Sequence, residues 1–173
     1  MQKNNNIPHF ANVIQSVDRN EGVEITMNCN ADAFKWIIDF VRIKTDGDDK
    51  VEEVMLRDTY ISDSNKEDIL DKTECDLYEK MDDIDNQNCL NILVTAYFLQ
   101  LHWVYTKVWE YYFSRNFSEV INACKISLSN INQAIVRDIA YRISETQLER
   151  LEERKDKFIS NVYKSRIDQK IIN

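Results

Sequence analysis

The chain has 173 residues, 43% of them hydrophobic, which suits one domain with a packed core and argues against wholesale disorder. Two glycines and one proline leave no material for a phosphate-cradling loop or a series of tight hairpins, so the chain reads as predominantly helical. The net charge of −8 is uneven: Asp46 to Asp85 holds 16 acidic and 5 basic residues, and the remainder has no cluster of Lys and Arg, which disfavours nucleic acid as a partner.

Residues 1–6 are a polar tail. Pro8 then suits the first turn of a helix whose Phe10, Val13, Ile14 and Val17 fall on one apolar stripe. After Gly22, "VEITMNC" alternates apolar and polar residues and predicts a strand ending at Cys29. Asn30 is placed to cap a second helix, with Asp32 in its first turn; Phe34, Ile37, Ile38 and Val41 give it a stripe that is expected to stop near Gly47. Residues 47–88 read as an acidic insertion, partly disordered, with one or two marginal helices. It lacks the D-x-[DN]-x-[DN]-G order of a calcium loop.

Periodicity resumes in "CLNILVTAYFLQLHWVYTKVWEYYF". Leu90, Leu93, Ala96 and Tyr97 share a face in a helix ending near Gln100, and Trp103, Val104, Lys107, Val108 and Tyr111 carry the next. Aromatics at helical spacing usually fill a core, yet Trp109, Tyr111, Tyr112 and Phe113 crowd nearly every face of one turn. One or two must project outward, which makes Trp109 and Tyr112 candidate interaction residues. "RNFSEVINAC" predicts a shorter helix and Ile131, Ile135 and Ile139 another. Ser144 and Gln147 form a capping box that is expected to start one long terminal helix. Its Leu148, Leu151, Phe158 and Val162 recur close to a heptad seam, interrupted by Lys155, while Arg154 and Lys157 are candidates for contact with a partner.

Little in the chain suggests catalysis. His9 and His102 are the only histidines, and no HExxH, GxSxG or GxxxxGK[ST] occurs. Carboxylate pairs such as Asp82 and Asp83 lie in acidic text, where solvent would keep both ionised. Cys29, Cys75, Cys89 and Cys124 form no CxxC pair and read as reduced, small hydrophobes rather than a disulfide framework or zinc site. The expectation is a chain that is not an enzyme and needs no cofactor or metal. No apolar run approaches the roughly 18 residues of a membrane span, and "MQKNNN" lacks the apolar region of a secretory signal. The expected location is intracellular, cytoplasmic or nuclear, with no membrane association.

The order of helix, "VEITMNC", "DAFKWIIDFVR", acidic break and "LNILVTAYFLQLHWVYTKVWEYYFSRN" resembles the second, larger part of a BTB/POZ domain. "INQAIVRDIAYRISETQLERLEERKDKFISNVY" is similar to the helical extension of the atypical BTB domains in the family of the SANT-and-BTB regulator of class-switch recombination. The resemblance implies a mainly α fold of the α+β kind: a BTB/POZ-like helical cluster with a small residual β-sheet and a long C-terminal helix. It divides the chain into a first helix, strand and second helix (7–46), the acidic insertion (47–88), the remaining BTB-like helices (89–124) and the helical extension (125–173). The β-hairpin that opens such a domain has no counterpart ahead of Phe10, and no SANT segment is visible. By this resemblance the chain is a non-catalytic protein-protein interaction module, a dimerisation or scaffold domain whose homodimer contact falls on Phe10, Val13, Ile14 and Val17. The alternative is a structural adaptor subunit of a larger cytoskeletal or ciliary assembly.

Overall fold

The computed structural model describes residues 29–57, 63–124, 128, 131–151 and 155–172. The expected first helix at 7–17 and all of the expected strand except Cys29 lie outside the described residues. Cys29 sits in a bend, and no strand occurs among the described residues. The fold is mostly helical.

Helix α1 (Ala31–Arg57) starts where the sequence places it: Asn30 Oδ1 accepts from Ala33 N at 2.9 Å, and Asp32 stands in the first turn. The expected end near Gly47 is not found, and α1 continues for a further ten residues to Arg57. Gly47 is buried in mid-helix because the neighbouring helix comes close. A Cβ there would lie 2.4 Å from Cγ2 and Oγ1 of Thr73. The glycine sacrifices about 1 kcal/mol of helix propensity and in return permits the close approach. The acidic text contributes α2 (Asp63–Met81), which runs antiparallel to α1: Gly47 faces Thr73, and at the other end Trp36 Nε1 donates to the Lys80 carbonyl at 3.2 Å.

Helices α3 (Cys89–Phe98) and α4 (His102–Val108) meet at a three-residue corner in which Gln100 takes a left-handed φ of 59°. Helix α4 runs directly into a π turn (Trp109–Phe113), where Ser114 N donates to Trp109 O at 2.9 Å. The wider turn puts Trp109 and Phe113 on the buried side, with ring centroids 4.8 Å apart. It leaves Tyr111 and Tyr112 half-buried, facing the loop after α2. Tyr105, Trp109, Phe113 and Phe117 form a continuous column of rings through the core.

Three short helices and one long one close the other side: α5 (Phe117–Ala123), α6 (Gln133–Arg142), α7 (Glu145–Glu149) and α8 (Asp156–Ile172). The capping box forms as its sequence predicts, with Gln147 N on Ser144 Oγ and Ser144 N on Gln147 Oε1. The helix it starts is short, however, and the single long terminal helix expected from Ser144 is replaced by two. Gln147 explains the early stop: its Nε2 donates to Ser114 O at 2.8 Å, and its own carbonyl accepts from Ser118 Oγ at 2.8 Å. Those bonds fix α7 against α5 and the π turn. The chain must then turn for α8 to pack along α6. Leu148, Leu151, Phe158 and Val162 are all buried, although the first two belong to one helix-and-turn and the last two to the next helix.

Candidate functional site

The predicted interaction residues are not brought together on one surface. Phe10, Val13, Ile14, Val17 and Arg154 lie outside the described residues. Trp109 is only 3% exposed, packed between Tyr105 and Phe113, with the Arg142 guanidinium 5.2 Å from its ring centroid. That ring is core, so the outward projection expected of it is corrected. Tyr112 is half-buried and its hydroxyl donates to Asn86 Oδ1 at 3.0 Å. It fastens the π turn to the loop after α2. Lys157 is exposed in the first turn of α8.

A concavity lies elsewhere, between the α1–α2 hairpin and α4. It is a groove of about 680 Å³. Its floor is apolar: Phe40 stacks on Trp36 at 5.0 Å and on Trp103 at 5.4 Å, and Met81 and Leu77 complete it. Lys44 sits 5.3 Å above the centre of the Trp103 ring, so its charge is held over the indole face. Tyr111 closes the inner end, its ring 6.3 Å from Tyr78 and its hydroxyl donating to Asp82. That hydrogen bond, ahead of burial and the carboxylate's charge, raises the Tyr111 pKa above its ordinary value.

The two walls differ in charge. Helix α2 offers Glu74; opposite it stand Lys107 on α4 and Arg115 just after the π turn, neither of which forms an ion pair with a described residue, with Glu110 between them. Two large apolar side chains stand on the α2 rim: Leu70 is 45% exposed and Tyr78 50% exposed. The arrangement can bury an apolar ridge along its floor and sort charges at its edges.

Other ionisable groups serve the fold. Burial, reinforced by Asp85, pushes the Cys89 thiol far above its ordinary range, so it is an inert core residue. None of the four cysteines is in a disulfide. His102 is exposed at the start of α4, its ring edge-on to Tyr97. Among the described residues no group of three His, Cys, Asp or Glu is placed to hold a metal ion, and no helix is long and apolar enough to cross a membrane.

The groove residues were not singled out by sequence reasoning because the contact joins two segments far apart in the chain. A local signal for α2 existed: Leu70, Thr73, Leu77 and Met81 recur at helical spacing inside the acidic text. Arg166 was also missed. It donates to the carbonyls of Ala140 and Ile143 and to Glu145, closing the C-terminal end of α6 from a helix more than twenty residues later. No local pattern around Arg166 marks that role. No protein-family model, curated protein or solved structure matches the chain.

Proposed function

We propose that the chain is a non-catalytic protein-interaction module and that the groove between the α1–α2 hairpin and α4 is its docking face. The observation that carries this reading is the pairing of an aromatic floor with a half-exposed apolar rim, Leu70 and Tyr78, beside Lys107 and Arg115, which form no ion pair with a described residue. Such a groove suits an amphipathic helix laid with its apolar face inward. Charge sorting favours a ligand helix with a basic edge toward α2 and an acidic edge toward Lys107 and Arg115.

The BTB/POZ-like assignment is the finer proposal. Its support is the order of α3, corner and α4, with Ala96 and Leu99 buried, followed by an Arg115–Asn116 turn that starts α5. On that assignment, self-association runs through the stripe at residues 7–17.

The test uses the full chain as bait, beside Leu70→Arg, Tyr78→Arg and, as a distant control, Lys157→Glu. All three positions are half-exposed or exposed, so melting temperatures should stay close to the parent. The reading expects the same partner to be retained by the parent and Lys157→Glu and lost by both groove variants. Equal retention by all four proteins would overturn the groove as the docking face.

A further inference from the structure

We propose that the π turn at Trp109–Phe113 sets the specificity of the groove: it aligns Lys107 and Arg115 two turns apart along one edge, and the partner helix answers with two carboxylates seven positions apart. This rests on the groove being a helix-docking face, and it names the kind of helix that face takes.

The register of the helix decides which side chains share this edge. Two turns of α-helix take about seven residues, so side chains eight apart stand about 80° out of line around the axis. Lys107 and Arg115 are eight apart, yet both line the groove, with Tyr111 between them. The π turn accounts for this. Ser114 N reaches back five residues to Trp109 O at 2.9 Å, which takes one extra residue into the turn. Beyond it the helical path holds: Ser114 has a φ of −62° and a ψ of −30°, and Asn116 N donates to Tyr112 O at 3.1 Å. The added residue makes two turns out of eight residues and brings Arg115 back over the groove. Arg115 is close enough there to oppose the rise that the Asp82 hydrogen bond gives the Tyr111 pKa.

Charge then selects the ligand. Lys107 and Arg115 are exposed and neither forms an ion pair with a described residue, while Glu110, also exposed, lines the groove between them. The edge is therefore positive, negative and positive again over two turns, about 11 Å. A helix laid along it covers about the same distance from one residue to the seventh beyond it. Acidic residues at those two places meet Lys107 and Arg115, whereas a third acid midway would face Glu110. Apolar residues on the neighbouring face meet Phe40 and Trp103 on the floor. The complementary ligand is an amphipathic helix of a partner protein whose edge runs acidic, neutral or basic, acidic.

Four synthetic helical peptides with one shared Leu face, titrated against the full chain by fluorescence anisotropy, separate the outcomes. The first carries Glu at two edge positions seven apart with Lys midway. The second has Glu midway as well, the third has its two edge Glu three apart, and the fourth has Gln in place of both. The first should bind at least about fivefold more tightly than each of the others, as two exposed ion pairs allow. Lys107→Ala should cancel the contribution of one edge Glu and Arg115→Ala that of the other, while Lys157→Ala, on the distant α8, leaves both. Both cations are exposed, so none of these variants should disturb folding.

Equal binding of all four peptides, lost in Leu70→Arg, would overturn the carboxylate spacing while the groove remained a docking face. Coupling of Lys107 and Arg115 to the same Glu would overturn the two-turn alignment. Binding of no peptide would overturn the proposed ligand, and the bait comparison with Leu70→Arg would then decide whether the groove docks anything.

Discussion

Helices α3 and α4 and helices α1 and α2 are both consecutive pairs, yet they are held in different ways. The α3–α4 pair carries a single charged residue, Lys107: Ile92, Leu93, Val104 and Val108 are at most 1% exposed, and the ring column continues from it into α5. The α1–α2 pair is acidic and one-sided. It is drawn together at Gly47 and Thr73, tied at one end by Trp36 and Lys80, and leaves Leu70 and Tyr78 half in water. Under the proposed function, the first pair would carry most of the stability and the second the surface for recognition.

The largest effect should come from the aromatic column. Phe113→Ala removes a fully buried ring between Trp109 and Phe117 and should cost about 3–5 kcal/mol in urea unfolding. A loss below about 1 kcal/mol would mean that the column does not carry the core. Next is the Arg166 clasp. Arg166→Met keeps the stem but frees two carbonyls at the end of α6, for an expected cost of about 2 kcal/mol. Glu145→Gln should cost less than about 1 kcal/mol, because the Glu145 side chain is 57% exposed. The reverse ranking would show that the ion pair, not the cap, is what Arg166 supplies.

Alkali should act on the same region. Burial, then the charge and hydrogen bond of Asp138, raises the Tyr105 pKa well above its ordinary value. The folded state therefore favours the protonated phenol. Its contribution is complete below the unfolded value near 10 and is lost as pH rises further, by up to about 1.4 kcal/mol per pH unit. Melts of Tyr105→Phe should fall less steeply than the parent above that pH. Parallel curves would remove Tyr105 from the account.

A small effect is expected in the acidic hairpin. Gly47→Ala gains helix propensity but sets a methyl against Thr73, so a net loss of about 1 kcal/mol is expected, most of it recovered when Thr73→Ala is added. A stabilising Gly47→Ala would show that α1 and α2 do not approach this closely.

How much of this was legible depends on the range of the interaction that fixes each feature. Asn30, Ser144 and Gln147 act within three residues, and their caps were readable as text. The buried faces of α3 and α4 follow from apolar spacing alone. Gly47 was misread as a helix stop because its reason lies 26 positions away, in Thr73. The break after α7 was missed because Gln147 spends its amide on Ser114, a partner that no helical period reveals. The groove escaped for the same reason: acidic text looked like solvated chain until α2 was seen to place Leu77 and Met81 opposite Trp103.

The separation of stability from recognition is tested most directly by amide hydrogen exchange on the full chain. The account predicts that α3 and α4 exchange only through global unfolding, while α2 from Leu70 to Met81 exchanges through a local opening at least tenfold faster, yet more slowly than unstructured peptide. Protection of α2 equal to that of α4 would merge the two regions into one cooperative unit. Exchange of α2 at the unstructured rate would remove the wall on which the groove depends.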